Sequence, residues 1–459
     1  MFLLLLFRYI TGFNGLYGQD SHEYLRYTKA ILIWFKSGTP PGHFFWPVNY
    51  PLYGAILTLV LGNPIFSLQF ISILSLIFTF IYLARIIYLV YNNSANIPVI
   101  IYLATFFILS PFIFRAAIVD MSDLLCLFFI TGFFFYSIAF KQQRAYRYFY
   151  LAVFFGASAV MTRYGAIVIL IVPSIFMLND LQKRFKVLGV ATGILILSLC
   201  IAPHFILHRD EPTSFLLHPW LTNWNLKNLF LMNFDTPDGE AQYTVINILY
   251  SFSGLVFPGF IFAGIFFLAI LLRKRGNITG SVRTIIISYI AYSLFLGGIP
   301  FQNMRFILLA FPHVLILFYP SYRQIFNLIT KQSKLVQYSV FMLVLLVQFA
   351  LIYRAFVPFY NENKEERAIA LYLKGISPFT IYTLDLEGAL HSYNIINPIQ
   401  NLYYHELDSI TTPSYAILDK DAFEKQWAGK TPMHNWERIK KHKLSLIKRF
   451  NNWEVYEIQ

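Results

Sequence analysis

Long apolar runs, repeated along most of the chain, are the feature that most constrains its fold. A run of about 20 predominantly apolar residues is long enough to cross a bilayer as a helix. Eleven runs have approximate limits at 1–16, 65–91, 97–113, 119–140, 146–161, 164–179, 186–208, 246–272, 282–300, 304–320 and 335–354. The sequence therefore predicts a mainly α, polytopic helical membrane protein with about 11 spans.

The first run has only about ten apolar residues, which is short for a span that needs about 20. Residues 1–10 are apolar, but they lack the basic segment and the small-residue cleavage site of a signal peptide. We expect either a shallow helix that continues to about residue 16 or a chain whose true start lies upstream.

Composition agrees with a membrane protein. The 459 residues are 57% hydrophobic and 13% charged, whereas soluble domains carry about 25% charged residues. A net charge of +13 would suggest nucleic-acid binding in a soluble protein. Here many basic residues lie in short loops between apolar runs, so we interpret them as a topology signal and predict no nucleic-acid partner. Cys126 and Cys200 lie inside apolar runs and have no metal-ligand spacing.

The basic residues in the short loops predict the orientation of the chain. They form clusters at 141–147, 183–186, 273–283 and 323–334. With eleven spans, all four clusters lie on one side, which the positive-inside rule assigns to the cytoplasm. The first loop at 17–63, the loop at 209–245 and the C-terminal region then face outward. We predict a multi-pass protein of the plasma (inner) membrane.

The first outer loop has predicted structure of its own. Residues 21–35 have the pattern of an amphipathic helix lying in the membrane interface. Residues 52–61 form a second apolar segment that is too short to span. We assign residues 1–355, including this loop, to one transmembrane catalytic domain.

The composition changes at about residue 356. Residues 362–374 have the pattern of a charged amphipathic helix. Residues 380–384, 415–418 and 454–458 are predicted as short strands. We therefore predict a small α/β domain over 356–459, tethered outside the membrane.

Ionisable groups occur in four of the predicted outer turns. Charges near a membrane are costly, so their positions are informative. They are Asp20, His22 and Glu23 in the first loop, Arg115, Asp120 and Asp123 in the next outer turn, Arg163 in a third turn and Arg305 in a fourth. We expect these turns to converge on one wet cavity beneath the C-terminal domain.

Several of these residues also have simpler interpretations. A lone arginine at a helix end, such as Arg163 or Arg305, often only reaches for lipid headgroups. Asp120 could stabilise a helix N-terminus through the helix dipole, although Asp120 and Asp123 are three residues apart and share a helical face.

Aromatic residues near the first loop also have two interpretations. Trp46, Tyr50 and Tyr53, together with His22, could line a substrate groove. The three aromatic residues could equally form an aromatic belt at the membrane interface.

In sequence order, these features resemble the GT-C superfamily of integral-membrane glycosyltransferases. The similarity is closest to the branch containing protein O-mannosyltransferases and bacterial aminoarabinose transferases. Residues 18–24 resemble the acidic motif of the first loop, and residues 120–123 resemble the second acidic motif. Residues 49–53 resemble the Pro-Pro-Leu-Tyr motif, with Tyr50 in place of the first proline. Residues 304–306 resemble the Arg-Phe/Tyr segment, and the resemblance covers about residues 1–355.

The resemblance implies transfer of a sugar from a polyprenyl-phosphate or polyprenyl-diphosphate donor at the outer membrane face, with inversion. The acceptor is a lipid, a glycan or a protein, and the first-loop acid, here Asp20, is the catalytic one. A single carboxylate suits this chemistry because one base takes the acceptor proton. The departing phosphate needs no second acid, unlike the leaving group in glycoside hydrolysis.

The other charged residues have candidate roles in the same reaction. Arginine binds phosphate in a bidentate manner, so Arg115, Arg163 and Arg305 are candidate donor ligands. Asp120 or Asp123 could orient acceptor hydroxyls, fix an arginine or hold a divalent metal such as Mg or Mn. Glu23 could share the role of Asp20 or be solvated.

Two other classes of protein remain open. A transporter or flippase for lipid-linked sugars would have ionisable groups at mid-span and broken helices in paired positions. A non-catalytic envelope assembly protein would use its outer domain to bind a partner. The clustering of charges at one predicted surface favours the enzyme.

Overall fold

The computed structural model describes residues 2–91, 96–182, 186–208, 217–236, 239–256, 260, 262–273 and 279–459. Helices dominate these ranges, as the sequence predicts. Lys183, Arg184, Lys274 and Arg275, which contribute to the predicted orientation, lie outside the described residues.

The first outer loop contains two helices that follow a short N-terminal one. They are α1 (Phe2–Thr11), α2 (Gly18–Ser37) and α3 (Asn49–Leu61). Helix α2 ends at Gly38, whose φ of 73° closes the helix with a left-handed cap. The predicted amphipathic helix is therefore present. Tyr24, Tyr27 and Ile31 on its apolar face are buried in the protein, whereas Ile33 and Phe35 near its end are exposed.

The first half of the bundle is built around one helix. Its members are α4 (Pro64–Tyr91), α5 (Asn96–Leu103), α6 (Pro111–Ile118), α7 (Asp123–Gln143), α8 (Tyr146–Val160), α9 (Ala166–Gln182) and α10 (Val187–Leu207). Helix α7 packs against α4, α8 and α9. Gly132 and Gly156 let α7 and α8 approach closely, because a Cβ at either position would overlap a phenylalanine ring of the other helix.

The second half carries a hairpin and the last spans. Its elements are α11 (Pro219–Thr222), β1 (Asn233–Thr236), β2 (Gly239–Gln242), α12 (Asn247–Phe252), α13 (Phe262–Arg273), α14 (Gly280–Gly298), α15 (Met304–Leu308), α16 (Phe311–Ile329) and α17 (Lys334–Leu373). Strands β1 and β2 pair antiparallel. Short 3₁₀ turns precede β1 and follow α12.

The predicted apolar runs all contain helix, but they differ in length. Among the described residues, five helices are long and apolar enough to cross a membrane, namely α4, α7, α10, α14 and α17. Helices α5 and α6 meet at a bend of 69° and together give a sixth candidate. The bend follows from Pro111, which starts a new helix and cannot continue the one before it. The remaining runs form shorter helices or are divided between two, as 304–320 is between α15 and α16.

The C-terminal region is a small α/β unit. Its elements are β3 (Thr380–Thr383), α18 (Glu387–Ser392), β4 (Ile399–Asn401), β5 (Ser414–Asp419), α19 (Lys420–Gln426), α20 (Thr431–Ile439), β6 (Leu444–Phe450) and β7 (Trp453–Ile458). The strand order is β4-β3-β5-β7-β6. Strand β3 pairs parallel with β4 and β5, and β7 pairs antiparallel with β5 and β6. The three predicted strands are confirmed, and β4 and β6 are additional.

The two predicted domains are joined by one helix. Helix α17 runs for 40 residues from Lys334 to Leu373 and passes through the predicted boundary at 355/356 without a break. The charged helix predicted at 362–374 is its continuation. This arrangement brings α18 against α2, so the C-terminal unit packs on the helix that carries Asp20.

Candidate active site

Asp20 lies in the first turn of α2, where its side chain remains accessible. Ser21 fixes this helix start because its Oγ accepts a hydrogen bond from the Tyr17 backbone N–H at 2.6 Å. The Asp20 side chain is 28% exposed. The carboxylate is therefore accessible from outside the protein.

Arg305 joins Asp20 to Asp123. Its Nη1 donates to Asp20 Oδ2 at 2.5 Å, while Nε and Nη2 donate to Asp123 Oδ2 at 3.1 and 3.0 Å. Asn303 caps α15 by accepting from the Arg305 backbone N–H at 3.0 Å. The short helix thus presents a guanidinium that contacts one exposed and one buried carboxylate.

Asp123 is the anchor of this network. It is 1% exposed at the start of α7, and Arg163 Nη1 donates to its second oxygen, Oδ1. A buried carboxylate is stable when it is paired and hydrogen-bonded. Here two arginines from distant turns satisfy it, so the predicted convergence of Asp20, Asp123, Arg163 and Arg305 is present.

The network keeps Arg305 charged. Burial works against its positive charge, but the carboxylates of Asp123 and Asp20 outweigh that effect and raise the pKa of Arg305 above its ordinary value. Arg163 lies over the ring of Phe306 at 5.5 Å, which restrains its position. Two fixed cations therefore lie beside one accessible carboxylate.

Arg115 lies in a different setting from the other two predicted phosphate ligands. Its guanidinium stacks over Tyr17 at 4.9 Å and over Phe359 at 5.6 Å. These contacts connect α6, the loop before α2, and α17. Arg115 is half-buried between aromatic rings, which favours a packing role over direct contact with the Asp20–Arg305 pair.

Asp120 is buried in the turn between α6 and α7. Its backbone N–H donates to the carbonyl of Gly15 at 2.9 Å. Its carboxylate packs against Gly15 so closely that a Cβ on Gly15 would lie 2.7 Å from Asp120 Oδ1. Neither carboxylate oxygen has a hydrogen-bond partner among the described residues. Burial raises the pKa of Asp120 well above its usual range, and Arg8 only partly opposes this. Asp120 does not join the ion-pair network of Asp123.

Glu23 is paired with Arg26 in the next turn of α2. Both of its oxygens accept from Arg26 at 2.6 Å, and Arg26 also donates to the His43 carbonyl at 2.7 Å. This partly exposed pair attaches α2 to the following loop. Of the two roles that the sequence leaves open, the geometry gives Glu23 a surface ion pair.

His22 is buried and does not line a groove, contrary to the prediction. It is 2% exposed because the C-terminal unit covers it. Its Nε2 lies 3.1 Å from Glu366 Oε2, and its Nδ1 lies 2.9 Å from Ser392 Oγ. Gly388 packs on the same side chain, since a Cβ there would lie 3.0 Å from His22 Cβ.

A second set of contacts holds the loop before α2. Asn363 Nδ2 donates to the Leu16 carbonyl and to Asn14 Oδ1, both at 2.8 Å. Asn14 also donates to the hydroxyl of Tyr393 at 3.2 Å. Sequence reasoning missed these partners because residues some 350 positions away carry no local signal of contact with the first loop.

The predicted groove aromatics contribute mainly to the core. Tyr50 is fully buried, and its hydroxyl donates to the Leu68 carbonyl at 3.1 Å; it is not a groove residue. Trp46 packs on Tyr24 with ring centroids 5.8 Å apart. Tyr53 packs on Phe129 at 6.3 Å. These contacts support α2 and α3.

Another aromatic group lies closer to the charged site. Trp220 stacks on Phe301 with centroids 4.6 Å apart and lies edge-on to Phe306 at 6.0 Å. Phe306 is the ring that Arg163 covers. An apolar surface thus adjoins the two cations. In the sequence, the only signal for this surface is that Phe306 directly follows Arg305.

The carboxylates present do not fit a divalent metal. No group of three or more His, Cys, Asp or Glu side chains comes together in the described ranges. Asp123 already accepts from two arginines and Asp20 from one. A Mg or Mn ion at this position would have to displace Arg305, so we derive no step through a metal.

The architecture is a mainly helical bundle with several candidate membrane spans and a small C-terminal α/β unit. Two crystal structures share it, those of ArnT from Cupriavidus metallidurans bound to undecaprenyl phosphate and in the apo state, with TM-scores of 0.61 and 0.62. Each is 12% identical, and the alignment covers 99% of this chain and 97% of ArnT. The shared architecture confirms the helical membrane-protein fold with a C-terminal α/β unit that the sequence predicts. No family model and no curated protein matches the chain.

Proposed function

We propose that this protein is an inverting membrane glycosyltransferase. It transfers a sugar from a polyprenyl-phosphate donor to an acceptor hydroxyl at the outer face of the inner membrane. The observation that carries the proposal is the contact between Asp20 and Arg305, which places an accessible carboxylate beside a fixed cation. The C-terminal unit lies outside the membrane over the same site.

Asp20 is the general base in this proposal. Its Oδ2 is held by Arg305, whereas Oδ1 accepts no hydrogen bond from the described residues. Oδ1 takes the proton of the acceptor hydroxyl as that oxygen attacks the anomeric carbon from the side opposite the phosphate. As the acceptor oxygen bonds to the anomeric carbon, the C–O bond to the phosphate breaks and polyprenyl phosphate departs with the electron pair. The sugar is then attached to the acceptor with inverted configuration.

Arg305 and Arg163 stabilise the departing phosphate. Negative charge builds on the leaving oxygen in the transition state, and fixed cations in a water-poor site stabilise it most effectively. Asp123 holds both guanidinium groups in place before the substrate arrives. The neighbouring rings of Phe306, Trp220 and Phe301 provide an apolar surface for the polyprenyl chain.

A donor-use assay tests the proposal. The protein, purified in nanodiscs, is incubated with a panel of polyprenyl-phosphate sugars and acceptors, and released polyprenyl phosphate is measured by mass spectrometry. We expect release with at least one donor and an inverted anomeric product by NMR. Movement of an intact donor across a vesicle bilayer, with no sugar released, would instead identify a transporter.

A further inference from the structure

The C-terminal unit has a cavity at the carboxyl ends of its parallel strands. The cavity has a volume of about 440 Å³ and includes Leu384 and Asp385 after β3, and Leu418 and Asp419 at the end of β5. Helix α17 forms the facing wall through Glu362 and its neighbours. None of Asp20, Asp123, Arg163 or Arg305 lines it, so it is distinct from the candidate active site.

The cavity lies at the point where the connections of the sheet diverge. From β3 the chain passes through α18 to β4 on one side, whereas from β5 it passes through α19 and α20 to β6 and then β7, which both lie on the other side. In open α/β sheets, ligands bind outside the carboxyl ends of the strands at such a point. Topology alone therefore marks this crevice as a ligand site.

Acidic and amide groups provide the polar lining. The acids are Glu362, Glu365, Asp385 and Asp419. The described lining contains no lysine or arginine, although the chain has 36 Lys and Arg against 23 Asp and Glu. Glu365 Oε1 accepts from Asn451 Nδ2 at 2.8 Å, which ties α17 to the turn between β6 and β7.

Aromatic side chains provide the apolar lining. Phe423 and Trp427 from the α19 region, and Trp453 from the start of β7, all contribute. Phe423 and Trp427 are each 4% exposed and form the buried back of the cavity, while Trp453 is only partly buried. Aromatic faces pack against the C–H face of a sugar ring, and carboxylates and amides accept its hydroxyl hydrogens.

We propose that this cavity binds a glycan of neutral or positive charge. The volume of the cavity lies within the range of about 300–1,000 Å³ typical of small-molecule pockets. An anionic glycan is disfavoured because four acidic side chains and no lysine or arginine are among the described lining residues. The inference goes beyond the proposed transferase activity, and it is tested by binding without turnover.

The test uses the full chain in detergent and three disaccharide probes. They are N,N′-diacetylchitobiose (neutral), the glucosamine disaccharide (cationic) and digalacturonate (anionic). Binding is measured by isothermal titration calorimetry and by saturation-transfer NMR. We expect the first two probes to bind and digalacturonate to bind at least tenfold more weakly or not at all.

Variants place the binding in this cavity. Asp385→Asn and Trp453→Leu should each weaken disaccharide binding at least tenfold, while Glu437→Gln, an exposed acid on α20, should leave it unchanged. Thermal unfolding verifies that each variant is folded, and Asp385→Asn decides the result if Trp453→Leu is unstable. The proposal is overturned if neither the neutral nor the cationic probe binds, or if digalacturonate binds equally well. It is also overturned if both variants still bind the disaccharides as the wild type does. So would calcium binding lost in Asp385→Asn without any sugar binding.

Discussion

Arg305 and Asp123 are separated by 182 positions in the chain, yet Nε and Nη2 of the arginine both donate to Oδ2 of the aspartate at 3.1 and 3.0 Å. The aspartate is 1% exposed, so the pair fixes the plane of the guanidinium inside the protein. The remaining nitrogen, Nη1, contacts Asp20. A buried carboxylate thus orients a cation that faces an accessible carboxylate.

Replacing Arg305 should abolish recognition of the donor phosphate. We expect Arg305→Ala to lose the rise in unfolding temperature that undecaprenyl phosphate gives the wild type, because the ligand then lacks its main cation. Undecaprenol, which has no phosphate, measures the contribution of the lipid tail. Arg305→Lys should recover only part of the effect, since an ammonium cannot reproduce the two-nitrogen contact with Asp123.

The same variant should also be less stable without ligand. Removing one partner of a buried ion pair costs about 3 kcal/mol, and Asp123 would retain only Arg163. Arg323→Ala, at an exposed position on α16, is the matched control. It should change neither the stability without ligand nor the rise in unfolding temperature caused by undecaprenyl phosphate. If undecaprenyl phosphate raises the unfolding temperature of Arg305→Ala as much as that of the wild type, Arg305 does not bind the donor phosphate.

Glu366 should affect catalysis through His22 without contacting substrate. Glu366→Ala leaves a buried histidine without its 3.1 Å partner, which costs about 1–3 kcal/mol and loosens the first turn of α2. We expect a lower kcat with a nearly unchanged KM for the donor, because the phosphate ligands stay in place. Steady-state kinetics with the donor identified by the panel measures both constants.

Two further variants separate positioning from general destabilisation. Glu366→Gln keeps a hydrogen-bond acceptor for His22 and should restore most of kcat. Lys364→Gln, an exposed neighbour on α17, should behave as wild type. If Glu366→Ala lowers the unfolding temperature but leaves kcat intact, the contact is only structural.

Asp120 should make the fold less stable as pH rises. Burial raises its folded-state pKa, while the unfolded value is about 3.9. Above about pH 4 the unfolded state loses its proton first, so the wild type loses stability as pH increases toward the folded pKa. Asp120→Asn has no such proton to lose.

The unfolding temperature of Asp120→Asn relative to wild type should therefore increase between pH 4.5 and 8. Thermal scans of both proteins in detergent across this range measure the difference. A difference that is constant with pH, or one that shrinks, would mean that Asp120 is ionised in the folded protein and has a partner there.

Local pattern predicted much of the fold and the centre of the site. Apolar runs and turn residues gave the helical architecture and the three strands of the C-terminal unit. The positions of charged residues in the outer turns placed Asp20, Asp123, Arg163 and Arg305 among the candidates, together with Glu23, Arg115 and Asp120. A charge near the membrane is costly and is seldom kept without a partner or a ligand. The structure brings the first four of these together.

Tertiary contact decided the positions that the sequence misjudged. His22 and Tyr50 look like groove residues because polar-aromatic side chains follow an outer turn, yet Glu366 and Leu68 bury them. Glu23 shares a helical face with Asp20, but Arg26 is within one turn and satisfies it. Helix α17 continues across 355/356 although Pro358 lies within it. The change in polarity at this point therefore does not coincide with the end of a helix.

Asp20→Asn tests the central claim most directly. The substitution keeps the size of the side chain but removes the base, so we expect transfer to fall at least a thousandfold while the undecaprenyl phosphate shift and the unfolding profile stay close to wild type. Glu23→Gln, which removes only a partly exposed ion pair worth about 0–1 kcal/mol, should keep most of the activity. Transfer by Asp20→Asn at the wild-type rate, with the donor panel and product analysis described above, would contradict the assignment of Asp20 as the general base.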